Sequence, residues 1–322
     1  MTGFSFVRWA RLHLVDLLTM VAMGAIGLGV YEADPAPTRS FPVFNTDGSI
    51  AWPQFGQPLR KNIIPIWLAA FLAFMCPFVF FILFQLRIRS FEILLGTTMG
   101  LLESLITAAV FQVFHKWLIG GLRPHFLSVC KPDVSALTPS GNGFMRIMYD
   151  RSICTGDEKD INDSLESWMS GHSTAAFAGF VYLFFYFNAQ LKVMSDHRPA
   201  YWKMILTIAP LLGASLIAAS LTVDEFHNWY DCVGGALTGT LCAFIAYRKT
   251  FAAIWDFRFN HILLPRSTSL FHRKAMDDRM PTHKFDYTPA EALEQRPVAG
   301  EGGWRRDWTT AGAPSDAAAL AV

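Results

Sequence analysis

A chain of 322 residues in which 52% are hydrophobic and 14% aromatic, with a mean hydropathy of +0.29, is more apolar than an ordinary soluble domain and has the composition that a lipid bilayer selects. The formal net charge is only +1, and Lys and Arg are scattered over loops and tail instead of gathered on one face, so no nucleic-acid partner is expected. Five cysteines are too few for a disulfide framework.

A spanning helix needs about 20 mostly apolar residues. Six runs approach that length: Leu12 to Tyr31, Ile63 to Leu86, Ile93 to Phe114, Thr174 to Leu191, Met204 to Ala219 and Cys232 to Tyr247. They predict an all-α polytopic membrane protein with six transmembrane helices. The first run is long and lacks an A-x-A-like cleavage site, which makes it a retained helix and not a signal peptide. Arg8 and Arg11, Arg87 and Arg89, Lys192, Arg198 and Lys203, and Arg248 and Lys249 all flank helix ends that would face the cytoplasm, placing both termini inside. The long loop at about 116–170 would then lie outside, its six basic residues offset by a comparable number of acidic ones. The expected organisation is a cytoplasmic N-terminus at 1–11, a membrane domain at 12–249 and a largely disordered cytoplasmic tail at 250–322, whose later part mixes Pro, Gly, Ala and charge without period.

Cys76, Cys232 and Cys242 fall in or beside apolar runs and read as small buried hydrophobes. Cys130 and Cys154 share the long loop, where an oxidising compartment would permit one bridge; the bridged and free states both stay open. Asn162-Asp163-Ser164 in the same loop is an acceptor sequon for N-glycosylation.

Polar groups concentrate at three helix ends: "KWLIGGLRP" (Lys116 to Pro124), "SWMSGHS" (Ser167 to Ser173) and "SLTVDEFHNWYDC" (Ser220 to Cys232). Taken singly they have ordinary explanations, as snorkelling cations, a serine N-cap and an interfacial His/Asp pair spaced i, i+4. The topology above brings all three to the same face, where together they make a phosphate site. Lys116 and Arg123 offer charge-assisted donors, the amides of Ser170 and Gly171 offer a helix N-terminus, and His172 with His227 and Asp231 offers a nucleophile and a general acid.

These residues resemble the type 2 phosphatidic acid phosphatases, or lipid phosphate phosphatases, which are related to vanadium haloperoxidases. The family pattern K-x6-RP is intact at Lys116 to Arg123-Pro124; PSGH reads "MSGH" with Met169 for the proline; S-R-x5-H-x3-D reads Ser220 to His227 and Asp231 with Leu221 for the arginine. The resemblance implies that His172 is a nucleophile forming a phosphohistidine, that His227 is the general acid oriented by Asp231, and that Lys116, Arg123, Ser170 and Gly171 bind phosphate. It implies no metal and no cofactor. The substrates would be phosphatidate, lysophosphatidate or diacylglycerol pyrophosphate, reached from the bilayer. Met169 changes only the turn before the nucleophile. Leu221 removes a guanidinium from the transition state, a loss worth about 100- to 1,000-fold in rate, which points to an attenuated enzyme or, as the alternative, to a non-catalytic membrane protein that binds phosphorylated lipid or a partner. A transporter has only Asp16, Glu92 and Glu103 in its favour.

Overall fold

Pro, Gly and charged residues interrupt the apolar runs of this chain, and helices form between the interruptions. The computed structural model describes residues 6–34, 40–133 and 141–264. In chain order the elements are α1 (Phe6–Tyr31), β1 (Phe41–Pro42), α2 (Ile66–Ile88), α3 (Phe91–Leu118), α4 (Phe126–Cys130), β2 (Met148–Tyr149), α5 (Glu158–Ser164), α6 (Gly171–Leu191), α7 (Tyr201–Val223) and α8 (Trp229–Thr250). Five of them, α1, α2, α3, α6 and α7, are long and apolar enough to cross a membrane. Where the sequence suggests a sixth span, α8 has the length, at 22 residues, but three glycines, Asp231, Arg248 and Lys249 lower its apolarity.

The central helix is α6. Buried residues make up 89% of its most apolar stretch, against 6% for α1, so α6 is walled in by protein and α1 faces outward. Around α6 stand α2, α3, α7 and α8, with α1 laid against α3. The core fills with the aromatic side of α6, where Tyr182 and Tyr186 meet Phe81 and Tyr182 meets Tyr247. Gly235 on α8 permits a close helix crossing next to the polar end, since a Cβ there would come within 2.6 Å of the Ser170 carbonyl oxygen.

The segments between helices form a cap at that end. β1 pairs antiparallel with β2, and Phe41, Val43, Phe126, Val129, Tyr149, Ile161 and Leu165 close into a second apolar cluster. Cys130 and Cys154 are joined by a disulfide, which settles the alternatives the sequence leaves open in favour of the bridge. Asn162 lies on α5 and its Oδ1 accepts a hydrogen bond of 2.7 Å from Arg151. Cys232 and Cys242 are buried and Cys76 is half-buried.

Two boundaries differ from the sequence reading. The first helix begins at Phe6, so it extends into the segment at 1–11 expected to precede the membrane domain. The folded body also continues past 250: Ala252 N–H donates to Ile262 O at 2.9 Å, Leu264 N–H to Thr250 O at 2.9 Å, and Phe251, Ala252, Ala253 and Asn260 are fully buried. The short apolar pieces at 251–254 and 262–264 are too brief to register as a span, but they cover the end of the bundle opposite the cap. The remainder of the proposed tail, from 265, lies outside the described residues. Glu103, the one deep carboxylate that a transport reading would rest on, is paired with Lys249 at 2.5 Å.

Candidate active site

Three helix ends distant in sequence meet under the cap and are tied to one another by hydrogen bonds. Ser167 N–H donates to Gly121 O (3.1 Å), Trp168 N–H to Gly120 O (2.8 Å) and Arg123 N–H to Ser164 O (2.9 Å), joining the first cluster to the second. Ser170 N–H donates to Asp231 O (3.2 Å) and Ser167 Oγ to Asp231 Oδ2 (2.5 Å), joining the second to the third. Asn228 Nδ2 donates to Leu122 O at 3.1 Å and closes the ring. The turn out of α3 depends on Gly121, whose φ of 113° lies where side chains other than glycine are strained.

Arg123 and Lys116 are 3% and 9% exposed. Arg123 Nη2 donates to Asp163 Oδ1 at 2.7 Å, and the guanidinium lies 4.3 Å from the centre of the Phe226 ring. Its Nε and Nη1 are buried and make no hydrogen bond among the described residues. Lys116 Nζ stands 3.3 Å from Glu166 Oε2 and 3.5 Å from Asp163 Oδ1. Burial pushes the Asp163 carboxyl up, but Arg123 and then Lys116 outweigh it and hold the group below the ordinary carboxylate range. Two carboxylates thus hold the cations, while two guanidinium nitrogens, Nε and Nη1, remain to be matched.

His172, at the first turn of α6, is 4% exposed and its Nε2 donates to Ile64 O at 2.9 Å. Ser170 caps that helix through its hydroxyl. Its amide, expected to contribute to anion binding, is spent on the Asp231 carbonyl, so the amide of Gly171 is the first in the turn without that engagement. Met169 is buried, and its carbonyl accepts from Gln112 Nε2 at 3.0 Å, which orients the turn where the resembling family has proline.

His227 sits in the loop between α7 and α8, 5% exposed, with Nδ1 3.6 Å from Asp231 Oδ2. That is an ion-pair distance but beyond a hydrogen bond. Asp231 is fully buried and its Oδ2 accepts instead from Asn228 N–H (2.9 Å), Asn228 Nδ2 (3.1 Å) and Ser167 Oγ. The carboxylate therefore caps α8 and anchors the second cluster while it faces the imidazole. Burial drives the His227 pKa down to about 4, Arg123 and Lys116 push the same way, and Asp231 opposes them.

Leu221 is fully buried among Ala218, Cys232, Phe177 and Phe226. Its side chain belongs to an apolar plug, and its carbonyl accepts from Phe226 N–H (3.0 Å) and His227 N–H (3.2 Å), which fixes the turn carrying His227. The sequence reading misses Asp163, Glu166, Ser167 and Asn228 as members of the site, and also His125. That residue is 2% exposed, bonded through Nδ1 to Glu225 O at 3.0 Å, with its ring 5.0 Å from that of Phe226. Of these Ser167 and Asn228 stand inside the quoted clusters, and His125 directly follows Arg123-Pro124.

The PAP2 superfamily pattern matches residues 97–255, which contain all three clusters. The chain is 34% identical over 258 residues to a PA-phosphatase related-family protein of Dictyostelium discoideum, covering 78% of this chain and 67% of that protein. It is 28% identical over 242 residues to lipid phosphate phosphatase 1 of Arabidopsis thaliana, covering 75% and 69% respectively. It is 34% identical over 165 residues to diacylglycerol pyrophosphate phosphatase 1 of Saccharomyces cerevisiae, covering 51% and 55%. No solved structure matches the chain. With the helical bundle and the three joined clusters, these matches make the chain an all-α, polytopic membrane member of the PAP2 superfamily.

Proposed function

We propose that this protein is an integral membrane lipid phosphate phosphatase acting on substrates of the phosphatidate, lysophosphatidate or diacylglycerol pyrophosphate class. The observation that carries the reading is the buried Arg123 guanidinium, with Nε and Nη1 unmatched, which shares Asp163 with Lys116 and acts electrostatically on both His172 and His227. A phosphate group supplies the acceptors those donors lack. The names of the Arabidopsis and Saccharomyces relatives support the lipid phosphate class.

In this mechanism Lys116, Arg123 and the Gly171 amide hold the phosphate, with Ser170 shaping the turn. An imidazole nitrogen of His172 attacks phosphorus, and the P–O bond to the lipid breaks as His227 protonates the leaving oxygen. Water then attacks the phosphohistidine, His227 takes its proton, and inorganic phosphate leaves. Asp231 keeps His227 oriented and favours its charged form. Charge neutralisation is assigned to the two cations, with no metal in the scheme. Leu221 brings no donor, so turnover is expected to be about 100- to 1,000-fold below that of a site with a third cation.

The disulfide in the cap supports an active face in the lumen or outside the cell, with both termini cytoplasmic. A second reading, a non-catalytic phospholipid-binding member of the fold, is favoured by the burial of Leu221 in an apolar plug. Purified protein given a panel of lipid phosphates without added Mg2+ separates the two. The phosphatase releases phosphate, is inhibited by vanadate and loses activity in His172→Ala, whereas the binding protein retains lipid without releasing phosphate.

A further inference from the structure

The segment from Gln57 to Pro65, which leads into α2, touches all three clusters. Gln57 N–H donates to Pro124 O (2.9 Å) and Ser128 Oγ to Gln57 O (2.8 Å), on the side of the first cluster. Arg60 Nη1 donates to Val223 O (3.1 Å) and Ile63 N–H to Asp224 Oδ2 (3.1 Å), at the approach to the third. Ile64 O accepts from His172 Nε2, in the second. Despite these bonds the segment is weakly anchored by packing. None of residues 57–65 is buried, and Ile64 alone reaches the main core, where it packs half-buried. Few apolar contacts and the lack of any buried residue mark a segment that opens at low cost.

The contact with His172 has a chemical consequence. An imidazole nitrogen that donates its proton to a carbonyl has no in-plane lone pair to offer phosphorus. The carbonyl oxygen also occupies the position from which a phosphate would be attacked by that nitrogen. We infer that residues 57–64 are a strap that holds the resting site closed: the Ile64 carbonyl masks the attacking nitrogen of His172, and a phosphorylated ligand opens the strap by replacing its bonds to Val223 and Asp224. Lys61, exposed on the strap and kept in both variants below, supplies a charge that draws an arriving anion. The inference rests on the reading of His172 as nucleophile, with Nε2 as its attacking nitrogen.

Its test reads the exposure of His172 without any turnover. Full-length protein in nanodiscs is treated with diethyl pyrocarbonate, and labelling is followed residue by residue by mass spectrometry, with the exposed His197 as internal reference. Arg60→Ala removes one tether without touching a site residue; Asp224→Ala removes another. Each folded variant, judged by an unchanged thermal midpoint, should carbethoxylate His172 about 2- to 10-fold faster than the parent, the factor expected for loss of one hydrogen bond. kcat/KM for lipid phosphate should rise by a similar factor, and vanadate should protect His172 in all forms. Labelling of the parent at the rate of His197, or of both folded variants at the parental rate, overturns the strap. Faster labelling accompanied by a fall in kcat/KM also overturns it, since the segment would then position substrate. Faster labelling in the variants with no phosphate released by any form upholds the strap and defeats the phosphatase reading instead.

Discussion

The two ends of the bundle each bury a lysine, and they treat it differently. At the end that faces away from the cap, Lys192 is 5% exposed and its Nζ donates to Asn260 Oδ1 (2.8 Å), to His261 Nδ1 (2.7 Å) and to the carbonyl of Phe257. Its three N–H donors have three acceptors, all neutral, and all from the segment that folds back after α8. Under the cap, Lys116 and Arg123 share Asp163, Lys116 also pairs with Glu166, and the guanidinium Nε and Nη1 are left over. A buried cation whose donors are all matched is a structural clasp; one whose donors are partly matched carries a desolvation cost that an anion would relieve. Burial of charge alone does not mark a site, and incomplete satisfaction does.

The largest effect should come from adding a cation where neither end provides for one. Leu221→Arg places a guanidinium in the plug formed by Ala218, Cys232, Phe177 and Phe226, and should cost roughly 3–5 kcal/mol of stability with no gain in rate. Thermal midpoint and initial rate on one preparation check this, and a stable, faster variant would show that the plug opens onto the phosphate. Removing a cation should separate the ends. Arg123→Met should lower turnover about 100- to 1,000-fold through loss of preorganised donors, as measured by phosphate release. Lys192→Met should instead cost about 2–4 kcal/mol of stability by stranding its acceptors, with turnover per folded molecule unchanged. If the two variants had the same profile, the contrast between the ends would be lost.

The smallest expected signal is a proton. With a pKa of about 4, His227 is neutral in the free protein near pH 6. An anion bound at Lys116 and Arg123 cancels the charges that, with burial, depress it, so its pKa rises and binding takes up a proton, at most about one. The uptake should fade as pH falls toward about 4, where the free form is itself protonated. Vanadate titration calorimetry in buffers of differing ionisation enthalpy measures it, and proton release on binding would contradict the electrostatics assigned to His227.

Much of the site was legible in the sequence because an apolar chain makes polar helix ends conspicuous. His172, His227, Asp231, Lys116 and Arg123 stand out by residue type and spacing alone. Asp163 and Glu166 did not, since in a charged loop they read only as dilution of its basic residues, and their role comes from the pairing across Arg123 N–H and Ser164 O. Ile64 acts through its backbone carbonyl, which carries no sequence signal at all. The spans α1, α2, α3, α6 and α7 follow from composition, whereas the closing segment at 251–264 is built from apolar pieces shorter than any span or regular helix. Leu221 was visible as a departure, but only its packing shows that the position is filled by an apolar plug and not left open beside the cations.

The central claim is that His172 forms a covalent bond to phosphorus. Purified protein mixed with phosphatidate labelled with 32P and quenched in alkali within the first turnover should carry label in an acid-labile, alkali-stable linkage on the peptide containing His172, and the label should vanish in His172→Ala. Label on another residue, or phosphate release that persists in His172→Ala, would contradict the account.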